Sequence, residues 1–294
     1  MIVAAVALAG APHPAGAATP AAELFYQRSV MTAADAACRL FTPPVSAMLA
    51  AAKAQARGAA LRSGADAAGL ALLEAQAEGQ AHAWDCRSAG LAQAAARVRQ
   101  AFDGFARLDE MRYPGERADW LAQRPADDRQ VRWRLSQTVR CGWDRMVFGV
   151  AGREGTRALL AVANFADGAE PYGARLVLRD AARTAGPYLD PRAADIRGVI
   201  PLEARLPPRS AARIFAAEAM SPAGRDLRPA DMDDGWAFRF SPEARAALAS
   251  LDPREAVAVE FLFAGNDGGE SVRTAYVEVG DFAAGEAFEA LAQR

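Results

Sequence analysis

Between residues 22 and 124 apolar side chains recur at steps of three and four, the spacing of helices that bury one face. Leu24, Met31, Ala34, Cys38 and Phe41 fall on one side of a first predicted helix over 22–41. Thr42 followed by Pro43 is a helix start, with threonine as N-cap and proline at the first helical position, where an N–H is not needed. The second helix then runs through Val45, Leu49, Ala52 and Ala56 to a stop at Ser63-Gly64, and a third is expected over 66–83. Ser88 caps a fourth, in which Leu91, Ala95, Val98, Phe102 and Phe105 form the clearest apolar stripe in the chain. The segment MRYPGERADWLAQRP then reads as a turn and a short last helix carrying Trp120, and Pro125 with the polar run ADDRQ marks a boundary.

Beyond residue 130 the period shortens to apolar segments punctuated by turn residues. Strands are predicted over 131–137, 145–150, 157–163, 174–179, 213–218, 235–240, 256–263 and 272–279, with hairpin turns at GREG and GNDGG. Val257, Val259, Phe261 and Phe263 alternate onto one face, as a half-buried antiparallel strand requires. Two helices interrupt this region: SPEARAALASL, capped by Ser241, and DFAAGEAFEALAQR, which opens on Asp281 and buries Phe282, Phe288 and Leu291. The predicted fold class is α+β in two parts. An N-terminal α-helical bundle over 19–125 precedes a mostly antiparallel β-sandwich-like domain with two short helices over 126–294.

Residues 1–18 have a different character. An apolar run over 2–11 ends at Pro12 and leads into small residues, with Ala15 and Ala17 placed as an A-x-A cleavage site. This predicts a signal peptide cut after Ala17, with Ala18 as the neighbouring choice, although no Lys or Arg precedes the run. The expected location is therefore periplasmic or secreted. The run is too short for a transmembrane anchor, which needs about 20 apolar residues. Export bears on the cysteines, because an oxidising compartment permits disulfides. Cys38 near the end of the first helix and Cys86 in the connection before the fourth can be neighbours in an antiparallel bundle, and a bridge between them is the favoured reading over two buried thiols. Cys141 is left over and is expected as a buried thiol at the start of the β region. Pairing of Cys141 with either other cysteine is the competing arrangement.

Charge and chemistry narrow the function by exclusion. With 34 basic and 36 acidic residues the net charge is −2, so no positive excess points to nucleic acid. Lys53 is the single lysine, and the arginine and alanine bias reads as the composition of a GC-rich bacterial genome. Once the leader is removed His82 is the single histidine, with Asp85 three residues on, and no H-E-x-x-H or G-x-S-x-G motif accompanies it. No phosphate-binding or dinucleotide loop is present, so no cofactor is implied. Carboxylates are the remaining option: Asp231, Asp233 and Asp234 precede a strand and are weak candidates for acid/base work or cation binding. A solvated turn is the favoured reading of these residues, and the NDGGE stretch at 266–270 has the same ambiguity, with a hairpin turn explaining its Asn, Asp and Gly residues. Trp120, Trp133, Trp143 and Trp236 read as packing residues.

The C-terminal segment carries an A-L-x-x-L helix end, a strand hairpin and a G-x-F-x-A closure at Gly280, Phe282 and Ala284. In these it resembles the end of the secreted bacterial family named for the invasion-associated locus B protein. The resemblance covers under a fifth of the chain and implies an exported β-sandwich with a binding role. The resulting expectation is a non-enzymatic exported protein that binds a protein or cell-envelope component. A carboxylate-dependent hydrolase of an envelope polymer and a homo-oligomeric assembly protein are the alternatives.

Overall fold

The computed structural model describes residues 19–124, 129–142, 144–265 and 268–290, and among these the chain forms six α-helices and eleven strands. The predicted signal peptide, Pro125, Trp143, residues 266 and 267 of the GNDGG turn and Leu291 lie outside the described residues. Two compact units are present, one built from residues up to Leu108 and the other from Asp109–Glu289.

Four helices make the first unit: α1 (Pro20–Cys38), α2 (Pro43–Arg62), α3 (Ala67–His82) and α4 (Ala89–Phe105). Their starts follow the chain's capping chemistry. Thr19, Asp66 and Ser88 each accept an N–H of the first turn through the side chain, whereas Thr42 takes the N-cap position of α2 without a side-chain bond. Met31, Ala34, Leu49, Ala81, Leu91, Ala94 and Ala95 form one apolar cluster, and Val45, Met48 and Phe102 form another beside it. Alanine supplies four of the seven buried residues of the first cluster, so burial per residue is small there, and the larger side chains of the second make up for it.

The second unit holds two antiparallel sheets. The larger has the order β1-β2-β3-β4-β5-β9-β8, from β1 (Glu110–Tyr113), β2 (Trp120–Gln123), β3 (Arg132–Cys141), β4 (Asp144–Gly152), β5 (Ala158–Asn164), β8 (Ala219–Pro222) and β9 (Trp236–Phe240). The smaller has the order β11-β10-β6-β7, from β6 (Gly173–Arg179), β7 (Ala212–Ala216), β10 (Ala256–Ala264) and β11 (Glu270–Glu278). Phe238 of β9 and Phe165 after β5 each meet Phe261 of β10 with ring centroids 5.2 Å apart, which joins the two sheets. Helices α5 (Pro242–Ala249) and α6 (Phe282–Glu289) complete the unit, and the Ser241 side chain caps α5 as expected.

Two expectations need correction, and one strand was not expected. Trp120 begins a strand rather than lying on a helix, because Trp120 and Ala122 are buried while Leu121 and Gln123 are half-buried, a period of two that a four-residue strand is too short to display in sequence. Its indole N–H is shared between the carbonyls of Glu278 and Val279. The turn before it is pinned by a buried carboxylate, since Glu278 accepts the backbone N–H groups of Glu116, Arg117 and Ala118 at 2.8–3.0 Å. Strand β8 has no sequence signature, because all four of its residues are exposed. Strand β10 is covered on both faces: its polar-side Glu260 is buried between Arg175 and Arg209, each 2.5 Å away.

Candidate functional site

The end of α1 and the start of α2 form a tight corner. Asp35 holds it, accepting the Phe41 N–H at 2.9 Å and the Ser46 hydroxyl at 2.5 Å. Cys38 ends the helix and is bridged to Cys86, with Cα atoms 5.5 Å apart, so the corner is tied to the connection between α3 and α4. Arg39 follows in the left-handed conformation, φ 52° and ψ 54°, and donates its N–H to the Asp35 carbonyl. Among the described residues it is the one non-glycine residue with positive φ. That position usually selects glycine, because a Cβ there costs roughly 1–2 kcal/mol.

Between this corner and α4 lies a cleft of about 370 Å³, lined by residues 39–42 and Val45 on one side and by Arg99, Phe102 and Asp103 of α4 on the other. Helix α4 contributes Arg99, Phe102 and Asp103 because residues three and four apart share a face. The Arg99 guanidinium lies 5.7 Å from the centre of the Phe41 ring and donates to the Leu40 carbonyl at 2.9 Å, which fixes its plane. Phe41, Val45 and Phe102 supply an apolar floor that belongs to the unit's own core. Neither Arg39 nor Arg99 has an ion pair among the described residues, and both side chains are exposed. The cleft thus presents two guanidinium forks and a single carboxylate, Asp103, over an aromatic floor. Guanidinium forks can donate parallel N–H bonds to a carboxylate or another planar anion. The fork of Arg39 is free among the described residues, and that of Arg99 keeps the donors not used on the Leu40 carbonyl. It lacks the paired carboxyl groups that glycoside hydrolysis uses.

Elsewhere the residues singled out in the sequence have structural partners. Asp231, Asp233 and Asp234 are all exposed. Asp231 accepts from Arg145 at 2.5 Å and Asp234 from the Asn164 amide, and among the described residues no group of three His, Cys, Asp or Glu is arranged to hold a metal ion. His82 is exposed at the end of α3 with Nδ1 2.7 Å from the Glu78 carbonyl, while Asp85 binds the Arg87 N–H instead of the histidine. Glu270 of the NDGGE stretch accepts from the Tyr172 hydroxyl at 2.6 Å.

Cys141 departs from expectation: it is exposed rather than buried. Its position at the end of β3 explains this, because the thiol leaves the core and donates to the Thr274 carbonyl of β11 at 2.8 Å. Desolvation at that contact, with Asp144 nearby, pushes its pKa above the ordinary thiol value, the opposite of what a nucleophile needs. Gly280, Phe282 and Ala284 of the closing motif are packing residues: Gly280 sits against the Trp120 ring, Phe282 meets it at 5.1 Å, and the Ala284 carbonyl accepts the Tyr113 hydroxyl at 3.2 Å.

Arg39 and Arg99 were invisible in sequence among so many arginines. The usable signal was an arginine directly after a helix end, where glycine is usual. Comparison with protein-family models, curated proteins and solved structures finds no match to the chain. No helix among the described residues is long and apolar enough to cross a membrane.

Proposed function

We propose that the protein is an exported, non-enzymatic binding module that holds a carboxylate-bearing group of a protein or envelope component between Arg39 and Arg99. The observation that carries this reading is the pair of unpaired guanidinium groups beside the cleft's aromatic floor. Two guanidinium groups that share a cleft with one carboxylate, Asp103, and form no ion pair among the described residues leave positive charge available to an external anion. The Cys38–Cys86 bridge supports the extracytoplasmic location, because such bonds persist in oxidising compartments. In this reading the four helices act as a disulfide-locked bundle, and the two sheets as a sandwich of the kind implied by the C-terminal resemblance. The exposed, partnered placement of Asp231 and Asp234 gives the hydrolase alternative no support.

The test is calorimetric titration of the protein with a short Asp/Glu peptide and with its Asn/Gln counterpart. The acidic peptide binds and the neutral one does not, and affinity falls as salt rises. Arg39→Gln and Arg99→Gln each weaken binding about threefold to tenfold, the worth of one charge-assisted contact at a wet rim. Equal binding by wild type and both variants would remove the cleft from the account.

A further inference from the structure

The two sheets have four edges, and three of them carry features that oppose a further strand. In β1 the edge carries the charged residues Glu110 and Arg112. In β8 it carries Pro222, which has no N–H to offer. The outward backbone of β11 is engaged at two residues: the Gln137 side chain accepts from the Glu278 N–H and donates to its carbonyl, and the Cys141 thiol takes the Thr274 carbonyl. Strand β7 is the exception. Its bonds to β6 run through Ala211 and Ala217, so Arg213 and Phe215 share that inward parity and the backbones of Ala212, Ile214 and Ala216 point away from the sheet. Ile214 is an aliphatic side chain 49 % exposed beside this free row.

We propose that β7 is a dimerisation edge, occupied by the β7 of a second copy of this chain in antiparallel register about a two-fold axis at Ile214. The sequence Ala-Arg-Ile-Phe-Ala is self-complementary in that register. Ala212 faces Ala216 of the second copy, Ile214 faces its own equivalent, and Arg213 faces Phe215. The outward residues form hydrogen-bonded pairs, so Arg213 and Phe215 fall at the closer, non-hydrogen-bonded sites. Within one chain Arg213 already lies over the Phe215 ring at 4.4 Å, and across the axis each guanidinium gains a second aromatic partner with no like charges opposed. A register shifted by two residues one way places Arg213 opposite its own equivalent, which repels, and shifted the other way places it opposite Ala217, where the guanidinium gains no second aromatic partner. The pairing extends the four-stranded sheet to eight strands and leaves the cleft of the helical unit out of the argument, so the two proposals stand or fall separately.

The test is sedimentation equilibrium of the full chain after leader removal, with a cross-linking arm. Wild type is a dimer. Phe215→Arg opposes arginines at both sites and raises the dimer dissociation constant at least about tenfold, and the swap Arg213→Phe with Phe215→Arg restores it. Ile214→Cys, a change at an exposed side chain, forms a disulfide-linked dimer under air, because a hydrogen-bonded pair has Cα atoms about 5.5 Å apart. Ala216→Cys alone does not, since its equivalent lies about 13 Å away in this register. A monomeric wild type, or Ile214→Cys and Ala216→Cys cross-linking alike, would overturn the proposal.

Discussion

Replacing Arg39 with glycine separates the cleft's function from its cost. The residue holds φ 52°, ψ 54° at the end of α1, and its side chain makes no bond among the described residues. Relief of the left-handed penalty is worth roughly 1–2 kcal/mol, and the greater freedom of glycine in the unfolded chain offsets about 0.5–1 kcal/mol of it. Arg39→Gly should therefore stabilise the helical unit by about 1 kcal/mol, equivalent to roughly 4–8 °C in melting temperature for a unit of 60–100 residues. Affinity for the acidic peptide should fall in the same variant. Arg39→Ala keeps the strain and loses the charge, so it should weaken binding with stability near wild type. Urea unfolding followed by helical circular dichroism, paired with calorimetry on the same samples, reads both quantities. If Arg39→Gly were destabilising, or bound the acidic peptide as well as wild type, the view of Arg39 as a strained binding residue would be wrong.

Further expectations concern the supports of the fold. Cys38→Ser frees a loop of 48 residues and should cost about 4 kcal/mol of helical-unit stability in the chain-entropy picture, read as a shift in the urea midpoint. Glu278→Ala strands three backbone N–H groups and should destabilise the β unit by about 3 kcal/mol, whereas a loss under 1 kcal/mol in urea unfolding would show that water replaces the carboxylate. The Arg273 guanidinium, assisted by the Ala169 N–H, holds the Asp167 carboxyl down at about 2. With the folded value below the ordinary 3.8, this pair's contribution is fully present above the ordinary value and is lost as pH falls through about 2. Carbon NMR titration of Asp167 checks it, and Arg273→Gln should return the carboxyl toward the ordinary range.

Long periodic elements were legible in the chain, and short or two-sided ones were not. Helix α4 was plain because its stripe from Leu91 to Phe105 repeats over several turns, and Ser88 and Ser241 announced helix starts through capping chemistry that acts locally. Strands β1 and β2 depend on a distant partner, since Glu278 organises the turn between them from more than a hundred and fifty residues away. No local pattern carries that contact. The second buried face of β10 was hidden for a related reason: a carboxylate such as Glu260 on a strand suggests a wet face, and its burial is compensated by Arg175 and Arg209 from other elements. The Cys38–Cys86 bridge was readable from helix placement, whereas the exposure of Cys141 follows from the path of β3 toward β11. Arg39 and Arg99 come together only after the α1–α2 corner closes.

The most direct measurement of the central claim follows the side-chain Nε–Hε signals of selectively ¹⁵N-labelled arginine in the full chain during titration with the acidic peptide. The account predicts that the signals of Arg39 and Arg99 shift together and saturate with the calorimetric dissociation constant, while Arg145 and Arg273, already paired with aspartates, stay in place. Saturating shifts confined to arginines of residues 109–289, or no saturating shift at all, would contradict it.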